Sequence, residues 1–234
     1  MRALNLIALS FAASLVLLSC QRPVQPVVTD QRLAPMSIPA DAQLYSIDSE
    51  RTEILIYVYR DGRLKRLGHN HIVSARDVAG RIYLSDRLES SAVELRLPVD
   101  RFEVDRPDLR ARAGEDFAAP IDANSIAGTR SNMLSEALLD SAQWPDIVLV
   151  SRAVRGALPE LELQMDAAIK ATVQPLKIPL RVELIDDELV ATGAISVTHA
   201  ELGLVPFSAL LGALTVRDQL DLQFTIFARP LAAD

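Results

Sequence analysis

One stretch past the middle of the chain decides most of what the rest can be. Leu161, Leu163, Met165, Ala167 and Ile169 alternate with Glu162, Gln164, Asp166, Ala168 and Lys170. A period of two sends one set of side chains to a buried face and the other to water, which is the pattern of a half-covered β-strand. A helix cannot use it, because helical neighbours lie three and four residues apart.

The same pattern recurs downstream. Ile178, Leu180, Val182 and Leu184 alternate with Pro179, Arg181 and Glu183, and Asp186-Asp187 marks a turn. Leu189, Ala191, Gly193, Ile195 and Val197 follow on one parity, which His199 continues if the strand reaches it. Leu220, Leu222, Phe224 and Ile226 make the last strand, with Ala228 closing the run before Pro230. Upstream, Thr52 to Tyr59 is apolar on both parities and predicts a strand covered on two sides. Asp61-Gly62 turns the chain, and further strands are expected over 78–84, over 93–99 with Pro98 at its end, and from Ile147 through Leu149 and Ser151.

Residues 100–145 break the alternation. Asp122 or Ser125 can cap a helix running toward Leu139, and Pro145 stops it. Ile126, Met133, Leu134, Ala137 and Leu138 share a stripe on this helix with Arg130. That arginine either turns its guanidinium to a ligand or a loop carboxylate, or snorkels to water from the helix edge.

Eight strands with one helical excursion after the third predict an all-β fold, a sandwich or barrel rather than a βαβ unit. A closed antiparallel eight-stranded barrel is favoured, because closure removes edges and eight strands can enclose one small ligand. Its cavity would be lined by Leu163, Met165, Ala167, Ile169, Ala191, Gly193, Ile195 and Phe207. The small residues Ala167, Ala191 and Gly193 either leave room inside or pack against larger neighbours.

The ends of the chain read differently. Arg2 followed by the apolar run Leu4 to Leu18 is an export signal, too short for a confident membrane span. Leu17-Leu18-Ser19-Cys20 resembles the bacterial lipobox, which predicts a signal peptide over 1–19 and an acyl chain such as palmitate on Cys20. Gln21 in the next position points to the outer membrane, with the domain facing the periplasm. Residues 20–43 carry Pro23, Pro26, Pro35 and Pro39 and read as a tether. The domain is expected over 44–230, with a short tail over 231–234.

Cys20 is the single cysteine, so the domain has neither disulfide nor thiol nucleophile. A formal charge of -7 argues against nucleic acid, and an acidic surface disfavours electrostatic docking on anionic lipid head groups. No Gly-x-Ser-x-Gly, His-Glu-x-x-His or phosphate-loop motif occurs, and no catalytic residue is assigned. The three histidines carry the remaining chemistry. In an extended Gly68-His69-Asn70-His71, His69 and His71 point one way and Asn70 the other. With His199 they could form a polar rim for a ligand head group, joined by Arg130, or hold zinc or haem iron.

Several segments together resemble the YceI-like polyisoprenoid-binding family. They are Tyr45-Ser46-Ile47-Asp48, Met133 to Asp140 leading into Trp144-Pro145-Asp146-Ile147, Ala168 to Leu176, and Leu202-Gly203-Leu204 before the last strand. Tyr45 stands where that family usually has Trp, Thr198-His199-Ala200-Glu201 replaces its usual Asp-Arg pair, and the Gly-His-Asn-His stretch looks like a variation within it. The resemblance implies a lipocalin-like barrel in the bacterial envelope with an elongated apolar cavity. An isoprenoid-type or quinone-like lipid is then the expected ligand, with the run Leu204 to Leu214 at the cavity mouth or capping the barrel as core. The membrane is the expected partner through Cys20, and a homodimer is one arrangement the sequence allows. Metal or haem binding in the periplasm is the alternative function.

Overall fold

Alternating strands in short-loop succession have closed into a barrel, and the computed structural model describes this for residues 30–231. The export signal, Cys20 and residues 232–234 lie outside the described residues. Twelve strands are present: β1 (Gln43–Ile47), β2 (Glu53–Asp61), β3 (His71–Ala75), β4 (Ala79–Leu84), β5 (Ala92–Pro98), β6 (Glu103–Val104), β7 (Asp146–Ala157), β8 (Glu160–Ile169), β9 (Thr172–Ile185), β10 (Glu188–Thr198), β11 (Ser208–Ala209) and β12 (Leu214–Pro230). Helices α1 (Pro107–Arg112) and α2 (Ala123–Leu134) fall between β6 and β7.

Eight of these strands form a closed antiparallel ring in the order β1, β4, β5, β7, β8, β9, β10, β12, with β12 pairing back to β1. The expected eight-stranded barrel is therefore what the chain forms. Of the extra strands, β11 makes a short antiparallel pair with β12 and the others arise from kinks. Strand β2 pairs with β12 from Asp61 to Glu53, and β1 takes over the same edge at Ile47. Between them Asp48 caps the turn, accepting the N–H groups of Glu50 and Arg51. β3 and β4 share one staggered position in the same way, pairing with β6 and β5 respectively.

The two faces of β2 are both covered, as its sequence predicts. Ile54, Ile56 and Val58 point into the barrel. Leu55, with Tyr57 and Tyr59 beside it, packs outward under Leu109 of α1 and Phe117. α2 begins where Asp122 accepts the N–H groups of Asn124 and Ser125, and it ends at Leu134, one turn short of Leu139. Asp186 and Asp187 both adopt positive φ, as a two-residue hairpin turn between twisted strands requires.

Part of the proline-rich segment departs from the expected spacer. Leu33 packs on Val148, Ala168 and Val173, Arg32 stacks on Trp144 and bonds the Lys170 carbonyl, and Asp41 accepts the Ser85 hydroxyl. Residues 30–42 thus lie along the outer wall of β7 and β8. Apolar Leu33 and the carbonyl partners of Arg32 give this stretch something to bind, which its proline content does not reveal.

The pairing sets two distinct barrel ends. Loops 62–70, 99–145, 170–171 and 199–213 gather at one, here called the helix end. The 48–52, 85–91, 158–159 and 186–187 connections gather at the other.

Candidate functional site

Two cavities occupy the barrel in line. The one at the helix end has a volume of about 410 Å³, and the deep one beyond it, which reaches Leu88, Ser91 and Leu158 at the opposite end, about 170 Å³. Successive inward residues of a strand pass from one to the other: Ile56 and Val58 border the first and Ile54 the second, as do Ile147 and then Leu149 on β7. The deep cavity is lined almost wholly by aliphatic and aromatic carbon, with Ser91 its one polar residue. The other gathers its polar groups at one end: Arg60, His69, His71, Ser125, Thr129, Asn132, His199 and Thr215. An apolar lumen with a few converging polar groups is the usual form of a small-molecule site.

Most of the expected lining falls here. Leu163, Met165, Ala191 and Ile195 line the deep cavity, and Ile169 and Phe207 the one at the helix end. Ala167, between Met165 and Ile169, is fully buried and borders neither. Gly193 provides no free space, because a Cβ there would meet Phe224 Cζ at 2.4 Å and the Pro179 carbonyl oxygen at 2.7 Å. The Phe224 ring occupies the room that the glycine leaves, so of the two readings for Gly193, packing holds.

All three histidines border the same cavity, although they come from a loop, the start of β3 and the end of β10. The rings of His69 and His71 meet edge to face at 6.2 Å, and Asn70 turns away to accept the Arg60 N–H and donate to the Asp116 carbonyl. His199 is buried, with Nδ1 2.7 Å from the Asp218 carbonyl oxygen. A carbonyl can only accept, so the proton sits on Nδ1 and Nε2 is left as an acceptor. Among the described residues no group of three His, Cys, Asp or Glu side chains is placed to hold a metal ion. Sharing a cavity wall is a looser condition than converging on one point.

His71 is held by a network that sequence reading missed. Its Nδ1 donates to Asp105 Oδ2 at 2.5 Å, and Thr129 Oγ1 of α2 lies 3.3 Å from Nε2. The Asp105 carboxylate is sealed from solvent and also accepts the Ile72 N–H at 3.0 Å and Arg110 Nη1 at 2.7 Å. Arg110 reaches on to the carbonyls of Asn70, Phe117 and Ala119. Burial alone would push the Asp105 carboxyl up, but the hydrogen bonds from His71, Ile72 and Arg110 outweigh it and hold it below its ordinary value.

The guanidinium that meets a loop carboxylate is thus that of Arg110, and it is part-buried. Arg130 is exposed, donates to the Asp100 carbonyl at 2.6 Å and does not border the cavity. Arg106-Pro107-Asp108 carried a usable signal, since proline in the first turn and an acid beside it mark a helix start. Nothing in the spacing of Asp105 and Arg110 announces their pairing, which depends on Asp105 taking a left-handed φ of 55°.

No protein-family model matches the sequence. No curated protein matches it either. Solved structures do match the fold. BcnA of Burkholderia cenocepacia superposes with a TM-score of 0.57 at 10% identity, over 77% of this chain and 98% of that one. A polyisoprenoid binding domain from Saccharophagus degradans, described as implicated in plant cell wall breakdown, gives 0.52 at 10% identity over 80% and 98%. A mutant YceI protein of Campylobacter jejuni gives 0.51 at 6% identity over 68% and 85%. These likenesses establish a YceI-like, lipocalin-like barrel.

Proposed function

We propose that this YceI-like barrel is an envelope lipid-binding protein that holds a long apolar chain of the polyisoprenoid or quinone type, tail inward and head group at the histidines. The observation that carries this is the polarity gradient of the lumen: wholly apolar wall at depth, and Arg60, His69, His71, Thr129 and His199 together at the helix end. A uniformly apolar ligand would press carbon against the polar wall at the helix end, and a wholly polar one would leave the deep cavity empty. An amphipathic chain satisfies both. The likeness to a polyisoprenoid binding domain supports the same class of ligand.

The role is binding, with no catalytic group assigned. Cys20 carries the acyl anchor that keeps the domain in the envelope, on the strength of the lipobox-like Leu17-Leu18-Ser19-Cys20. Burying the chain contributes roughly 25 cal/mol per Å² before the ordering of its rotors is subtracted. Native mass spectrometry of the full chain extracted from its own membrane tests the proposal. The expected spectrum shows a retained lipid and an acyl mass on Cys20. A spectrum with zinc or haem in place of lipid, or with an empty protein after gentle extraction, would refute the lipid reading.

A further inference from the structure

The helix end of the barrel carries an exposed apolar crown beside the cavity mouth. Leu64, Leu67, Val205, Phe207, Leu210 and Leu211 are all large, apolar and exposed, and Leu211 is as open to solvent as a side chain can be. The two loops that bear them are joined, since Leu64 N–H donates to the Ala213 carbonyl at 2.7 Å. Leu67 and Phe207 also line the cavity, so crown and mouth are continuous. Leu210, Leu211 and Gly212 take φ of 51°, 55° and 84° in succession. A turn in water would place Asn or Gly at such positions, because a left-handed backbone crowds a Leu side chain. Here the strained turn holds two leucines at the tip.

The chain is acidic as a whole, but charge differs locally around its two exposed apolar patches. The 62–68 loop interleaves exposed Arg63, Lys65 and Arg66 with Leu64 and Leu67 and contains no acid. The acids near it are Asp61, which accepts the Gly62 N–H, Glu115 and Asp116 beside Asn70, and Glu201 and Asp218, which accept from Thr198 and Ala200; none lies between the cations and leucines of the loop. At the opposite end the exposed Leu184 and Ile185 sit among Glu183, Asp186, Asp187 and Glu188. Apolar side chains flanked by cations suit the interface of an anionic bilayer, and apolar side chains flanked by carboxylates do not.

The N-terminal strap fixes the direction. It runs from Asp41 at the far end to Arg32 beside Lys170 and Trp144 at the helix end, so the chain preceding Asp30 departs from the crowned end. Nine residues separate Cys20 from Asp30. Fully extended they reach at most about 30 Å.

We infer that the crown of loops 62–68 and 204–212 docks into an anionic lipid bilayer, so that the cavity mouth opens directly onto the membrane that supplies its ligand. The inference rests on the lipoprotein reading of Cys20. It makes the loop leucines the entry collar for a lipid that never crosses water.

The full chain, processed and acylated, is reconstituted into phosphatidylglycerol-containing vesicles with an environment-sensitive dye on Leu211→Cys or, as control, on Asp187→Cys. Shielding is expected at 211 only: a blue-shifted emission and loss of quenching by aqueous iodide. Arg63→Glu/Lys65→Glu/Arg66→Glu, all exposed positions, should restore iodide quenching at 211. Equal quenching at 211 and 187 overturns docking. So does shielding at 211 that survives dissolution of the vesicles and grows with protein concentration, which would mean a second copy of the chain covers the crown. An unacylated Cys20 removes the premise and overturns it too. Mass spectra of the same samples keep the two readings apart: retained lipid with residue 211 in water sinks docking alone, whereas a shielded 211 with an empty lumen sinks the ligand reading alone.

Discussion

Asp105 is the most consequential polar residue in the barrel wall, and replacing it in two steps separates charge from shape. Its carboxylate has no solvent access and serves three donors, His71 Nδ1, the Ile72 N–H and Arg110 Nη1. Asp105→Asn keeps an acceptor for Ile72 and tolerates the left-handed φ of 55°. That oxygen also keeps Arg110 but without the charge, and the amide nitrogen replaces the oxygen that accepts from His71; at about 1 kcal/mol for the weakened bond and about 1 kcal/mol for the lost one, the cost is about 2 kcal/mol. Asp105→Ala removes all three and adds the left-handed penalty. Arg110 retains three backbone carbonyls, which keeps the cost near the middle of the range for a broken buried pair, about 4 kcal/mol. Urea unfolding measures both. Because the folded carboxyl lies below its ordinary value, its contribution is complete above the unfolded pKa near 3.8 and is lost as pH falls through the folded one. The gap between wild type and Asp105→Asn should therefore narrow in acid below about pH 4. Variants that cost the same, or a Asp105→Ala within about 1 kcal/mol of wild type, would refute the network as described.

Four further outcomes are expected. Leu163→Glu should reduce lipid retention in extracted protein far more than Gln164→Glu on the outer parity, and equal retention in two folded variants would count against the lumen as the site. Gly193→Ala should destabilise by about 1–3 kcal/mol in urea, since its Cβ would run into Phe224 and the immobile Pro179 carbonyl. Gly128 in α2 borders the cavity with no atom within 4 Å of a Cβ, so Gly128→Phe should fold as well as wild type yet release lipid, as read by circular dichroism and mass spectrometry. His69→Ala/His71→Ala should weaken binding of a polyprenyl phosphate in titrations against wild type; a variant that binds the lipid unchanged but loses zinc would favour a metal site.

The barrel was legible because its strands are amphipathic and its hairpins short. β8, β9, β10 and β12 from Leu220 announce themselves by parity, and their pairing follows from adjacency. β3, β6 and β11 stayed hidden for a local reason. Each is five residues or fewer, too short for a period of two to stand out from the flanking loops. β1 was visible only through the resemblance carried by Tyr45-Ser46-Ile47-Asp48. The kink at Asp48 to Thr52 depends on side-chain bonds to Glu50 and Arg51 that no hydrophobic pattern encodes.

The site divides along the same line. Apolar lining follows from strand parity, so Leu163, Met165, Ala191 and Ile195 could be named before any coordinates, while Ala167 and Gly193 depend on which neighbour fills the space beside them. The histidines were identifiable as residues, and their shared wall follows from three chain reversals that all end at one rim. What holds them there could not be read. Asp105 reaches His71 across 34 positions, and Asp218 reaches His199 across 19, through contacts fixed by loop conformation. Those contacts also decide the chemistry. A carboxylate on one Nδ1 and a carbonyl on the other each take up that nitrogen's N–H, so Nε2 is the ring atom left to meet other groups, as it meets the Thr129 hydroxyl in His71.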